Sequence, residues 1–350
     1  MKLGFGIIGC GRIAPRHADS LAEIPDVNLS MVCDVIENRA RAFAEKHRTK
    51  YCLDYHELLA APDIDIVNIC TPSGLHAQMA VDALKAGKHV IVEKPMAMNV
   101  ADADRMIATA KEMKRKLCIV LQNRYNPPMQ DFYQIVRSGK IGHVLLGSVT
   151  VRWYRPQEYY NDGWHGTKSM DGGALMNQSI HHIDALQWLV GEPVQSVFAY
   201  TATLAHQMEM EDVGVVTVRF TNGALATIEG STLTYPQNLE ASVALFGEKG
   251  SLKVGGTALN RKVFWKIAGE IEHEKELLTR EEVDPPSVYG ASHRHVIEDM
   301  IQAVVEGREP QTDGLEGRKS LLLVSAMYES ARSSREVFIA DLEHNLESSI

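Results

Sequence analysis

Cysteine, aromatic residues and unbroken apolar sequence are all scarce in this chain, and each scarcity narrows its class. The 350 residues include five cysteines, Cys10, Cys33, Cys52, Cys70 and Cys118, all in the first third and mostly within or beside apolar runs. None forms a C-x-x-C pair or another metal-ligand spacing. They read as reduced core thiols of a cytoplasmic protein with no metal site. No apolar stretch approaches the roughly 18–20 residues that cross a bilayer, and the opening Met1 to Gly6 carries no charged segment leading into a long apolar one. Positive charge is in deficit. Lys and Arg number 36 against 45 Asp and Glu, a net charge of −9, with a pI near 5.9. That balance disfavours nucleic acid and anionic membranes as partners, and a phosphate-bearing ligand would need a local cluster of cations.

What the chain does have is 45% apolar and 23% charged residues, enough for two domains with cores of their own and too apolar for disorder. Candidate strands at 3–9, 28–33, 65–70, 89–92 and 117–121 alternate with helix-like segments near 13–23, 37–47, 55–60, 75–87 and 101–115. Alternation of this kind predicts an α/β Rossmann domain, a doubly wound parallel sheet with ligands at the C-terminal strand edges, over residues 1–124. Pro127-Pro128 marks the change. Beyond it a helix near 129–138, a strand near 143–152 and a helical segment at 173–190 precede β-rich runs at 194–205, 213–220, 224–232, 241–246, 251–254 and 262–267. Helices near 288–306 and 315–333 close the chain, and the polar tail from Asp341 reads as loosely held. Residues 125–350 are therefore expected to form an α+β domain with a large open, mostly antiparallel sheet, helix-covered on one face. A homodimer or homotetramer through that sheet would cover the other.

The most informative local pattern is Gly9-Cys10-Gly11-Arg12-Ile13-Ala14, directly after the apolar run Phe5 to Ile8. Gly9 allows a tight strand-to-helix turn, Gly11 lets a pyrophosphate approach the backbone, and Ala14 lets helix and strand pack closely. The free N–H groups of the helix start, around Arg12 and Ile13, face the phosphate. Asp34 ends the next apolar run, 23 residues after Gly11, near the spacing of roughly 20 at which an acid holds the adenosine ribose hydroxyls. A carboxylate repels a 2′-phosphate, so NAD is the expected cofactor. Arg39 keeps NADP open as the alternative.

Later strand ends add chemistry. Thr71-Pro72, with His76 shortly after, forms a second strand-to-helix turn expected to pack beside the ribose and pyrophosphate. Glu93-Lys94-Pro95, whose Glu93 and Lys94 are also expected at the cofactor, puts a lysine at a strand's C-terminal end, facing the ligand crevice, before a peptide bond of the kind that can be cis. A partly desolvated lysine there can assist proton transfer from a substrate hydroxyl. In the segment Gly172 to Asp184, helical spacing places Asn177, His181 and Asp184 on one face, with Asn177 and Asp184 expected to touch substrate. His181 can take or relay a hydroxyl proton while Asn177 holds the oxygen, and His182 reads as structural. Gln122 and Arg124 follow the last Rossmann strand, where Gln122 joins the cofactor residues and Arg124 the substrate residues. Arg152, Arg155, His165 and Lys168 flank an aromatic segment that includes Trp164. It suits a diphosphate, a uracil or a sugar ring, or else an interface with a neighbouring subunit.

Taken in order, G-x-G-R-I-A, Glu93-Lys94-Pro95, the Gly172–Asp184 pattern and the C-terminal stretch His295 to Val337 resemble the Gfo/Idh/MocA family of sugar and inositol oxidoreductases over essentially the whole chain. The resemblance implies hydride transfer between a nicotinamide and a secondary carbinol carbon, with Lys94 and His181 at the family's active-site positions. Asn177 departs from the aspartate that many members carry there. Met176-Asn177-Gln178 looks more like the branch that oxidises C3 of UDP-N-acetylglucosamine or its uronate. A free polyol or sugar, such as inositol, is the alternative substrate, and a non-catalytic NAD-binding regulator is the alternative class.

Overall fold

The computed structural model describes residues 2–269 and 292–347, in two compact units. The first comprises residues 1–121 and 292–318, the second 122–291 and 319–350. Besides the expected boundary at 124, the chain therefore passes back into the first unit near 292 and out again near 318.

In the first unit six parallel strands lie in the order β3-β2-β1-β4-β5-β6: β1 (Leu3–Ile8), β2 (Val27–Cys33), β3 (Lys50–Cys52), β4 (Ile66–Ile69), β5 (His89–Val92) and β6 (Leu117–Ile119). All six residues of β1 are buried, as a central strand covered on both faces requires. The order reverses between β1 and β4, where open α/β sheets bind ligands. Helices α1 (Ala14–Glu23), α2 (Glu37–His47), α3 (Tyr55–Ala60), α4 (His76–Lys85) and α5 (Val100–Met113) connect them. Local chemistry sets their ends. A proline occupies the first turn of α1, where its missing N–H costs nothing. Asn99 caps α5 by accepting the Asp102 N–H at 2.8 Å. The three-residue strand β3 escaped the sequence reading because Lys50-Tyr51-Cys52 is too short for an apolar run.

The second unit contains α6 (Pro127–Arg137), α7 (Ile180–Val190) and an eight-stranded sheet. Its strands are β7 (Val144–Arg152), β8 (Val194–Ala202), β9 (Val213–Phe220), β10 (Leu225–Ser231), β11 (Glu240–Gly247), β12 (Gly250–Gly255), β13 (Arg261–Ile267) and β14 (Val337–Phe338), ordered β13-β12-β11-β7-β10-β9-β8-β14. Among the described residues of this unit, only β10 and β7 pair in parallel. Glycines on the inner face let helical side chains sit close: a Cβ on Gly147 would strike Leu186, and one on Gly214 would strike Leu175. On the outer face β9 alternates cleanly, exposing Val215, Thr217 and Arg219.

Helix α8 (His293–Glu306) precedes α9 (Gly314–Ser333). The start of the helix expected at 288 lies outside the described residues. The tail from Asp341, expected to be loose, instead continues a helix, α10 (Ile339–Glu347), after β14. The two-residue β14 pairs with β8 and docks that helix, a contact that local polarity does not reveal. All five cysteines are buried free thiols.

Candidate active site

In the first unit the turn after β1 has the geometry a dinucleotide requires. Gly9 sits at φ +92°, and a Cβ there would fall 2.7 Å from the Cys70 carbonyl oxygen. A Cβ on Gly11 would meet nothing within 4 Å, so its side of the backbone lies open beside the start of α1. Arg12 is exposed and Ile13 half-buried at that start. Asp34 is buried after β2, with Oδ2 accepting the Cys10 N–H and Oδ1 the Ile36 N–H, each at 2.9 Å. These bonds orient the carboxylate and leave each oxygen a further lone pair. Arg39 Nη1 lies 3.5 Å from Asp34 Oδ2, so the cation nearest the ribose acid is paired to that acid. Open backbone at Gly11, N–H groups at a helix start and a fixed carboxylate together fit NAD.

Around β4 and β5, Thr71 and Pro72 are half-buried, and the His76 ring is wedged between backbone carbonyls. Nδ1 lies 2.8 Å from Pro95 O and Nε2 2.9 Å from Thr71 O. Burial pushes the His76 pKa down, so a single ring proton serves one carbonyl at a time, and the ring braces the two strand-end loops. The Lys94–Pro95 bond is cis. Lys94 is half-buried just beyond β5, while the Glu93 carboxylate turns inward onto His17 at 3.0 Å.

In the second unit the segment expected as one helix is two. Ala174–Gln178 winds as a π-helical turn and α7 begins only at Ile180. Glu211 caps the start of the turn: its carbonyl accepts the Ala174 N–H at 2.9 Å and its carboxyl the Leu175 N–H at 2.8 Å. The Ser179 N–H reaches five residues back to Ala174 O, the bond of a π turn. His181 and Asp184 thus lie on α7, and Asn177 on the π-helical turn before it. Asn177 Nδ2 donates to Asp171 Oδ1, and Asp171 Oδ2 accepts the Gly166 N–H at 2.8 Å. Sequence reasoning missed Asp171, although it stands immediately before the Gly172-Gly173 pair.

His181 is buried, with Nε2 3.3 Å from Gln122 Nε2. An amide nitrogen only donates, so His181 Nε2 accepts there and its proton sits on Nδ1. Gln122, expected beside the cofactor, is in this unit the amide that fixes the His181 tautomer. Arg124 and Asp184, expected to touch substrate, face each other. Nε donates to Oδ2 at 2.8 Å and Nη2 to Oδ1 at 2.7 Å, and Ser320 Oγ donates to the same Oδ1 at 2.7 Å. Both are at most 5% exposed, and the bidentate pair is a buried brace. His182 is buried edge-on to Trp153, a packing position.

The aromatic segment is ordered by stacking. Trp164 lies over His165 with centroids 3.6 Å apart. The Arg155 guanidinium stands 5.1 Å from the Trp153 ring and donates to Gln178 Oε1 at 2.7 Å. Arg152 is held by Glu229 through bonds of 2.7 and 2.6 Å. Of the cations expected here, Arg155 and His165 are both set against aromatic faces, Arg155 also at 5.6 Å from the Tyr159 ring and His165 at 4.1 Å from it. No helix among the described residues is long and apolar enough to cross a membrane.

Known proteins place this architecture. Residues 3–121 match the family model described as the oxidoreductase family with NAD-binding Rossmann fold, and residues 129–253 match the GFO/IDH/MocA C-terminal domain. The chain is similar to the WlbA dehydrogenase of Bordetella pertussis, solved with NADH and UDP-GlcNAcA. Identity is 40% and the TM-score 0.91, over 96% of this chain and 97% of that one. It is also similar to the myo-inositol 2-dehydrogenase of Thermotoga maritima, 30% identical over 97% of this chain and 99% of that protein. A third relative is the D-glucoside 3-dehydrogenase of Escherichia coli, 28% identical over 96% and 97%.

Proposed function

The chain belongs to the Gfo/Idh/MocA oxidoreductases and is an NAD-dependent sugar or polyol dehydrogenase, and on that premise we propose that it oxidises C3 of a UDP-linked N-acetylhexosamine or its uronate. The observation that carries this reading is the 40% identity, spread over nearly the whole chain, to an enzyme solved with UDP-GlcNAcA, against 30% to an inositol dehydrogenase. Asn177, amide-paired to Asp171, supports it at the residue level, because a neutral amide stands where an inositol-type enzyme would carry charge beside its histidine.

Gly9, Gly11, the α1 start at Arg12 and Ile13, and Asp34 hold the dinucleotide, with Thr71 and Pro72 along its flank. NAD, when bound, supplies the hydride acceptor. Lys94 helps remove the proton of the C3 hydroxyl, and His181, whose Nε2 pairs with Gln122 at 3.3 Å, takes or relays it once the substrate hydroxyl replaces that amide at Nε2. Asn177 orients the substrate oxygen, while Trp164 and the Arg155 cluster offer ring faces and positive charge to the uridine diphosphate. Arg124 and Asp184 brace the helix that bears His181. The outward sheet face, with Leu146, Val215, Leu225 and Phe246 exposed, supports a homo-oligomer.

Thermal-shift titration in the presence of NADH tests the substrate assignment. UDP-N-acetylglucosaminuronate should raise Tm at concentrations where myo-inositol does not. Stabilisation by inositol alone would reverse it.

A further inference from the structure

Two helices of the first unit converge on the carboxylate of Glu93. Its Oε1 lies 3.0 Å from Nε2 of His17, on α1, and 3.6 Å from Nε2 of His293, the first residue of α8. Its Oε2 accepts the backbone N–H of Lys94 at 3.2 Å. Asn68, on β4, brings Nδ2 to within 2.9 Å of His17 Nδ1. Because an amide nitrogen can only donate, His17 Nδ1 accepts and the ring proton sits on Nε2, aimed at Glu93. His293 stands edge-on to His17, centroids 5.4 Å apart, and neither of its ring nitrogens has a hydrogen-bond partner. None of the three is more than 7% exposed. Burial alone would raise the Glu93 carboxyl, but His17 and His293 outweigh it and hold it well below the usual range.

Two chemistries could use such a cluster. His17 Nε2, Glu93 Oε1 and His293 Nε2 lie within 4.8 Å of one another, a spacing that could hold a metal ion. A structural zinc, however, takes four protein ligands, and a catalytic one keeps an open position for water. This set offers three donors in a buried place, and one of them already directs its proton at another. The arrangement suits a hydrogen-bonded brace better.

The brace has a specific attachment. One oxygen of Glu93 is tied to α1, the helix that starts at the glycine turn, and the other to the main chain of Lys94. We propose that Glu93, clamped by His17 and His293, is a positioning residue that fixes the backbone from which the Lys94 side chain reaches the substrate proton. The proposal rests on Lys94 being the proton-transfer group. It assigns the two histidines to the chemical step without any contact with substrate or cofactor.

Steady-state kinetics of the full-length enzyme test it with His17→Leu, His17→Gln and Glu93→Gln, alongside Lys94→Ala. His17→Leu removes the donor and should lower kcat roughly ten- to a hundredfold, the scale of a small misplacement of a reacting group. Substrate KM and NAD affinity should stay within about twofold, a change too small to account for a kcat loss of that size. His17→Gln keeps an N–H near the Nε2 position and should recover most of the rate. Should His17→Leu fail to fold, Glu93→Gln carries the same expectation. A normal kcat in either variant overturns the proposal. So does equal impairment of His17→Leu and His17→Gln accompanied by lost NAD binding, the signature of a merely structural role. Stoichiometric zinc in the purified enzyme, lost on His293→Ala, overturns it in favour of a metal site. If Lys94→Ala itself retains kcat, the lysine assignment fails first and the proposal falls with it. A dead Lys94→Ala beside a fully active His17→Leu instead condemns the positioning role alone.

Discussion

At the scale of single residues the proposed chemistry rests on Lys94 and the cofactor preference on Asp34. Lys94→Ala removes a group assigned to proton transfer, a role worth about 10²–10⁴ in rate. Its kcat should fall within that range while NAD affinity, measured by fluorescence titration, stays near that of the native enzyme. Asp34 is oriented by the Cys10 and Ile36 N–H groups and is the acid assigned to the ribose. Losing a hydrogen bond to a charged group costs about 1.5–3 kcal/mol. Asp34→Ala should therefore shrink the NAD-over-NADP ratio of kcat/KM by tenfold or more, since Arg39 would lose its partner and face the 2′-position. Both residues were legible in the sequence because strand ends and fixed spacing expose them. His17, His293 and Asp171 were not. Their roles come from partners as far as 200 residues distant (Glu93 with His293) or from a loop whose course no periodicity encodes.

At the scale of elements, the π-helical turn and α7 hold the second unit's functional residues, and their supports make separate predictions. Removing one partner of a buried ion pair costs about 3–5 kcal/mol because the other charge is left unpaired. Asp184→Ala should lower stability by that order in urea unfolding, and Arg124→Met with Asp184→Leu should restore much of the loss. Glu211 titrates abnormally: burial raises its carboxyl from 4.5 to about 7. The folded state thus binds a proton that the unfolded state has released, so this group's contribution favours folding at low pH. It declines as pH rises from about 4.5 to about 7, by about 3 kcal/mol at most. In Glu211→Gln the amide mimics the neutral acid, and the pH slope of stability across that window should flatten. An unchanged slope would remove Glu211 from the account. The sequence reading foresaw most strand and helix ranges, because apolar periodicity encodes them. A single helix is expected over 173–190 because the π turn that interrupts it, closed by the Ser179 N–H on Ala174 O, leaves no mark in apolar spacing.

At the scale of the whole molecule, the fold was readable from the order of its motifs. The return of residues 292–318 to the first unit was not, because it follows from packing that only the folded chain displays. The exposed Leu146, Leu225 and Phe246 stand in register on three neighbouring strands of one sheet, an apolar patch that favours association. Light scattering coupled to gel filtration should report a dimer or tetramer, and Leu225→Glu should shift it toward the monomer. The central claim, however, concerns the substrate. Initial rates of NAD reduction should be measured with UDP-N-acetylglucosaminuronate, UDP-N-acetylglucosamine, myo-inositol and glucose at equal concentration. Turnover confined to the nucleotide sugars, and fastest with the one whose C3 hydroxyl Asn177 and His181 accept, is the predicted result. Turnover of myo-inositol alone would contradict the account.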